Sequence, residues 1–472
     1  MVTPLGVFLL VVAAIVAGRS RGYVRLMAVS GGMPIGVSVV AAGQSLPVFY
    51  TLAVFAFLGV ITAQLLRREV RNRPAVQHVR PGALALVLFT GWSIAVTIVG
   101  PTLFSGISVL IARKGIDEQF LDPGTLGYTV SNLAQVFYLL VGVGTVFFVS
   151  KSPGATPALL GFTLGTLTIL SFWRLLSIQY GLPFPAGFFD NSTAVRIIET
   201  TSTGAHRFRG IFSEPSSLAS TSLTAIVYFA MRLTWLEGLQ RSLAIAVLVM
   251  AVINAVESTA GTFVAAGLVL LGVLVAFGFW SFVVRGARVN PFMVVGVLLA
   301  LAIGLFAIPA LVDVISGVIN EKVGSSSYES RTGVDKFSYL LALQTWGIGV
   351  GLGSNRPASF TAMLVSCVGV PGTLFFVVAI FTLIRRSYAL PQYRATAWAL
   401  VSILISKSIS GPNLSDPSAL LWITSGILAR ASWYPLLAVS SERYPVIIEA
   451  GGGTSQRLRR PRRMRSTFIP SA

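Results

Sequence analysis

GALALVLFTGWSIAVTIVGPTLF, residues 82–104, runs for twenty-three positions without a charged side chain. About 20 predominantly apolar residues carry an α-helix across the hydrocarbon of a bilayer. Only helices and closed barrels satisfy their own backbone hydrogen bonds there. Working outward from this stretch, similar runs recur at approximately 2–18, 24–42, 46–66, 128–149, 157–178, 215–232, 242–256, 259–284, 291–312, 360–384, 395–410 and 418–436. A transmembrane barrel would instead show alternation over segments of about ten residues. The 472-residue chain is 54% apolar and only 11% charged, where soluble domains carry roughly 25% charged residues. Its mean hydropathy is +0.80. The expected fold is therefore an all-α polytopic membrane protein, a bundle of about 12–13 transmembrane helices.

The net charge of +19 is informative through its placement. No basic residue precedes the first span, while Arg19, Arg21 and Arg25 follow it, the reverse of a cleaved signal peptide. The N-terminus is thus expected outside. Alternation from there puts 23 of the 35 basic residues on the cytoplasmic side and nine outside, as the positive-inside rule requires. Seven of the 23 belong to a basic tail, 437–472, expected to be cytoplasmic and partly disordered beyond a bundle spanning 1–436. Its RLRRPRRMR run suits anionic lipid head groups, so membrane lipids rather than nucleic acid are the expected partners. Twelve of the 16 acidic residues fall outside, which leaves the outer face as the one with mixed charge. Cys367 is the only cysteine, so neither a disulfide framework nor a thiol metal site is available.

Three outer connections are long: 105–127, 179–214 and 313–359. Such loops are usually functional or disordered. The aromatic content of 179–214, with Phe184, Phe188, Phe189, Phe208 and Phe212, predicts packing rather than disorder. Within the third, FSYLLALQTWGIG (337–349) reads as a short surface or re-entrant helix. GIGVGLGSNR (347–356) is too glycine-rich to continue it. No internal repeat is evident, and nearly every ionisable residue sits at a span end, which speaks against a secondary transporter.

HRFRGIFSEPSSLAS (206–220) concentrates charge at one helix entrance. Ser213 is the expected N-cap, Glu214 suits the helix dipole and Pro215 the first turn. Arg207 and Arg209 are disfavoured by that dipole, so a helix start carrying both makes a site for an anion, and guanidinium forks suit phosphate oxygens. The plainer reading pairs them with Glu199, Glu214 or a lipid phosphate. Arg174 lies about one turn inside the outer end of its span and needs a partner or a route to the interface. Arg331, Arg356, Glu257, Lys407 and Asp416 belong to the same expected face. Of the two histidines, His78 reads as solvated, and Arg207 disfavours protonation of His206, a surface residue or a neutral base. No metal-ligand spacing, DxD-like pair or P-loop is present.

RFRGIFSEPSSLA (207–219), then GIGVGLGSNRPASF (347–360) and VGVPG (368–372), together resemble the O-antigen polymerase family, Wzy-like polytopic proteins. Exopolysaccharide-type relatives show an Arg-x-x-Gly-x-Phe-x-Glu-Pro pattern, matched here by Arg207, Gly210, Phe212, Glu214 and Pro215. A later Gly-x-Gly-x-Gly-Ser-x-Arg stretch is matched by Gly349, Gly351, Gly353, Ser354 and Arg356. The motifs cover the seventh to eleventh spans; elsewhere only hydropathy agrees. The resemblance implies a GT-C-type bundle in the cytoplasmic membrane with its active face outward. It implies polymerisation of a glycan carried on undecaprenyl pyrophosphate, without metal or cofactor, alongside other polysaccharide-assembly membrane proteins. Arg207 and Arg209, with Arg331 or Arg356 and with Arg174 as a further cation, would grip the pyrophosphate. Glu214 would orient or deprotonate the acceptor hydroxyl. Related O-antigen ligases use a histidine in the late outer loop, and 313–359 contains none. Ligase-type relatives often carry an arginine after the serine entering the ninth span, where Ser258 is followed by Thr259. Both departures disfavour a ligase, which shares the donor site; a lipid-linked-glycan flippase is the other alternative, and it should carry charges within its spans.

Overall fold

The computed structural model describes residues 3–16, 20–33, 37–41, 44–66, 80–111, 122–191, 207–285, 326–411, 414 and 419–434. Its architecture is an all-α polytopic membrane protein. Helices occupy α1 (Pro4–Val16), α2 (Ser20–Gly31), α3 (Val48–Leu66), α4 (Ala83–Leu103), α5 (Val130–Lys151) and α6 (Pro157–Tyr180). There follow a single turn α7 (Ala186–Phe189), then α8 (Pro215–Arg232), α9 (Gly238–Glu257), α10 (Gly261–Arg285) and α11 (Ser326–Gln344). The last are α12 (Phe360–Met363), α13 (Gly369–Ser387), α14 (Arg394–Ile409) and α15 (Leu420–Trp433). Six segments among the described residues are long and apolar enough to cross a bilayer unaided: α4, α5, α6, α9, α10 and the α12–α13 rod, Phe360–Ser387. The expected span 291–312 and the basic tail lie outside the described residues.

One expected span takes another form. Residues 24–42 were expected to cross as one helix, but α2 stops at Gly31, and Val37–Ala41 pairs antiparallel with Gln44–Pro47 as β1 and β2. Gly31 and Gly32 stop the helix, and the β-branched VSVV at 37–40 favours extended backbone. A second hairpin, β3 (Ser108–Ile111) with β4 (Asp122–Thr125), orders both ends of the first long loop. In the third, α11 begins at Ser326, well before the expected start at 337.

The bundle is built around α15, every residue of which is buried. It packs along α5, with α13 and α14 on its other sides. Small residues permit the approach: a Cβ on Gly142 would lie 2.4 Å from the Trp422 indole nitrogen, the close packing that membrane helices favour. Helix α14 then packs on α8, and α8 on α9. Helices α9 and α10 expose apolar rows, Leu239, Leu243 and Val249 on one and Leu268, Val269 and Phe279 on the other. In a membrane protein such rows face lipid tails.

The α12–α13 rod is interrupted by a π turn at Leu364–Val368. The cause is an inserted backbone strand. The Val350 and Gly351 N–H groups donate to the carbonyls of Ser366 and Cys367 at 2.9 Å each, and the Val370 N–H donates to Gly347 O at 2.7 Å. Carbonyls turned outward to accept from a neighbour leave the helical ladder, which is how single π turns arise. The glycine-rich stretch 347–353 therefore lies against the rod as non-helical chain, with Gly347, Gly349, Gly351 and Gly353 all at positive φ, and does not continue α11, as its composition predicts.

Candidate functional site

The site is built where α6 ends and α8 begins. Pro215 is the first residue of α8, and a residue before proline is pushed out of the helical region. Glu214 accordingly holds φ −142° and ψ 152° and occupies the N-cap position itself; the expected cap, Ser213, lies one residue outside. The Glu214 carboxylate accepts a hydrogen bond from the Ser216 hydroxyl at 2.8 Å rather than from a backbone N–H. Upstream the chain makes a tight turn, in which the Phe212 N–H donates to Arg209 O at 3.0 Å. Gly210 has φ +55°, and a Cβ there would stand 2.6 Å from the Ser171 hydroxyl of α6. Glycine lets this turn sit directly on α6.

That turn delivers Arg209 into the protein, 3% exposed. Its guanidinium donates to both carboxylate oxygens of Asp190, at 2.6 and 3.2 Å, and to Phe212 O at 2.8 Å. Arg174 of α6 donates to the same carboxylate at 2.8 Å. Asp190 is placed by aromatic packing. Trp173, next to Arg174, meets Phe184 edge-on, Phe184 stacks on Phe189, and the Arg174 guanidinium lies 5.8 Å from the Phe184 ring centre. Two guanidinium groups thus share one carboxylate.

Burial pushes the Asp190 carboxyl up, but the hydrogen bonds and charges of Arg209 and Arg174 outweigh it and hold the group below the usual carboxylate range. A carboxylate depressed in the folded state contributes stability that is complete above its unfolded value of about 4 and is lost as pH falls through the folded value. The melting-temperature gap between wild type and Asp190→Asn is therefore expected to be constant above about pH 5 and to shrink below about pH 4. A thermal denaturation series across that range checks it.

Arg207 points to a different element. Its guanidinium donates to Thr259 O at 3.2 Å and to the Thr259 hydroxyl at 3.4 Å, at the turn between α9 and α10. Thr259 adopts φ +47°, an uncommon conformation for a β-branched residue. The turn before α8 thus clasps α6 through Arg209 and the α9–α10 corner through Arg207.

Beneath this turn α8 and α14 enclose a cavity whose lining includes Phe212, Ser217, Thr221, Lys407, Ser410 and Leu420. Lys407, expected at a span end, lies inside the last turn of α14, only 7% exposed, with its ammonium 5.7 Å from the Phe360 ring centre.

Arg356 follows the glycine-rich stretch and is exposed. Its backbone N–H donates to Leu110 O at 3.1 Å. Asn355 beside it is buried, bonding the Leu110 N–H and the hydroxyls of Ser338 and Ser366. The Asp335 carboxylate accepts from the N–H groups of Ala358 and Ser359 at 2.8 and 3.0 Å. Arg331 lies within α11, but its side chain is outside the described residues, as are His78, Glu199, His206 and Asp416. Of the expected arginines, Arg174 and Arg209 meet at Asp190, and Arg207 leaves the same turn toward Thr259. Arg356 belongs to the separate network of α11, β3 and the glycine-rich stretch.

Asp190 was not anticipated as the shared partner. Its signal was the aromatic run PFPAGFFD ending one residue before Asn191, since Trp173 beside Arg174 offers that run a surface. No protein-family model matches the chain, and no curated protein matches it either.

Proposed function

We propose that the protein is a metal-independent glycosyltransferase of the membrane, extending a polysaccharide from a polyprenyl-pyrophosphate-linked glycan at the outer face of the cytoplasmic membrane. The observation that carries this reading is the turn 207–214. It carries Arg207 and Arg209, joins them to Thr259 and to the Asp190 carboxylate shared with Arg174, and lies over the cavity lined by Lys407. It coincides with the Arg-x-x-Gly-x-Phe-x-Glu-Pro pattern of the O-antigen polymerases. Without histidine in the described residues of the late loop, the ligase alternative lacks its expected base.

In this reading the two tasks of the arginines differ. Arg174 and Arg209 hold Asp190 at 2.6–3.2 Å and form a rigid base for the turn. The bonds of Arg207 to Thr259 are longer, 3.2 and 3.4 Å, and in this reading they give way to phosphate oxygens. A hydroxyl oxygen of the acceptor glycan attacks the anomeric carbon of the donor as the bond from that carbon to the pyrophosphate oxygen breaks. The pyrophosphate leaves with the bond's electron pair, and Arg207 stabilises the charge it gains. The hydroxyl proton passes to Glu214, whose carboxylate is already directed at a hydroxyl, that of Ser216.

Removing one donor aimed at developing charge costs about a hundredfold or more in rate. Cells whose only copy carries Arg207→Ala are expected to accumulate single-repeat surface glycans, with the protein present in the membrane at its normal level. Gel separation of cell-surface polysaccharide reads the outcome, and polymer of wild-type length in that strain would refute the assignment.

A further inference from the structure

Helix α11 descends along a membrane-crossing element. The Asp335 carboxylate bonds Ala358 and Ser359 just ahead of the α12–α13 rod, and the Tyr339 hydroxyl lies 3.0 Å from that of Thr361. Past the end of α11, Gly347 O accepts from the Val370 N–H, well inside the rod. Spanning helix α4 marks the same depth. A Cβ on its Gly100 would lie 2.9 Å from Val350 O, and the Trp346 ring meets Phe104, one residue past α4, edge-on at 6.2 Å. Leu341, Ala342 and Thr345 turn α11 toward the bundle and are buried. Its other side carries Lys336, Tyr339, Leu340 and Leu343, exposed at helical spacing, and ends in Trp346.

Trp346 is held where glycine is favoured. The Gly347 N–H donates to Ala342 O at 2.8 Å and the Trp346 N–H to Leu343 O at 3.0 Å, a helix closure whose left-handed position usually holds glycine. Trp346 fills it at φ +52°, an outlying conformation for a bulky side chain, and is 82% exposed. The fold thus displays an indole at the cost of local strain, a pattern that points to function. Its surroundings say what covers it. Exposed Leu103 of α4 and Val370 of α13, which adjoins Gly347, continue the stripe onto two spanning helices, whose apolar rows face lipid tails. Charge stands at the upper end of the stripe and the indole at the lower, the order of a membrane interface, where lysine reaches toward water and tryptophan sits at head-group level.

We propose that the Lys336–Trp346 stripe is a membrane-docking face whose partner is bilayer lipid, with Trp346 as its anchor. The proposal does not depend on the polymerase reading. Under that reading the docked helix sets the height of Arg356, since α11 holds the neighbouring chain through Asp335 and through the Ser338–Asn355 bond.

The test places the full chain in nanodiscs of phosphatidylcholine and phosphatidylglycerol. Spin labels go on Leu343→Cys, Lys336→Cys and, as a lipid-facing reference, Leu268→Cys; the native Cys367 is buried. Oxygen, which partitions into lipid, is expected to collide with the label more often than a water-soluble nickel chelate at Leu343, as at Leu268, and less often at Lys336. Excess nickel collision at Leu343 would put water on this face, and a label that neither reagent reaches would put protein there; either overturns the proposal. Trp346→Gly restores the favoured glycine, so it should melt at or above wild type in detergent while losing the part of the fluorescence that brominated phosphatidylcholine quenches. An unchanged quenched signal would remove Trp346 as the anchor. Should Trp346→Gly fail to fold, the labels at Leu343 and Lys336 decide. A water-exposed stripe beside intact chain extension would remove the docking face and leave the polymerase reading standing; a lipid-exposed stripe without chain extension would do the reverse.

Discussion

Replacing Gly369 by alanine is expected to prevent the bundle from folding, and of all single methyl additions it should have among the largest effects. Gly369 holds φ +71° and ψ 179°, a region that essentially only glycine occupies. A Cβ built there would lie 2.1 Å from Ile348 O and 2.4 Å from Gly347 O. Both obstacles are backbone atoms, so no rotamer change relieves them. Gly349 faces it reciprocally, with φ +92° and a would-be Cβ 2.7 Å from the Gly369 nitrogen. The backbone conformation and the overlap together cost at least about 3 kcal/mol. The control is Gly267 in α10, where a Cβ meets nothing within 4 Å. Gly267→Ala should be neutral or stabilising by about 0.5–1 kcal/mol. Size-exclusion chromatography of detergent-solubilised protein measures both, and a monodisperse, normally melting Gly369→Ala variant would contradict the description of this contact.

The second large effect concerns Asp190. Asp190→Ala strips the carboxylate from between Arg174 and Arg209, whose side chains are 11% and 3% exposed. Removing one partner of a buried ion pair costs about 3–5 kcal/mol. Adding Arg209→Met should return part of that loss, since a buried charge disappears with its partner. Thermal melting of the two variants checks the sign. If the double variant melts lower than Asp190→Ala by the full cost of a further core substitution, the cluster is not the organising element of this turn.

Much of this architecture was legible in the chain because lipid imposes a strict length and composition on a spanning helix. The span at 215–232 coincides with α8 at both ends, since Pro215 marks its start and polar residues return after Arg232. The second span failed where composition and local geometry disagree: residues 24–42 are apolar enough to cross, but Gly31 and Gly32 end the helix and Val37–Ala41 turns back as a hairpin. The arginine pair was visible as charge against a helix dipole. Its partner was hidden, because Asp190 is 16 residues from Arg174 and 19 from Arg209 and meets them through aromatic packing with no sequence period. The glycine-rich stretch announced that it was not helical, but not that its backbone would insert against a π turn. The Lys407 cavity was equally hidden, since a lysine near a span end reads as interfacial until a facing helix encloses it.

The most direct measurement joins purified protein in liposomes with a polyprenyl-pyrophosphate-linked repeat unit and follows glycan length and released polyprenyl pyrophosphate together. The account predicts chains longer than one repeat, one pyrophosphate released per linkage formed, no requirement for added divalent metal, and loss of both products in Arg207→Ala. Unextended glycan from well-folded wild-type protein, or extension that Arg207→Ala leaves untouched, would contradict it.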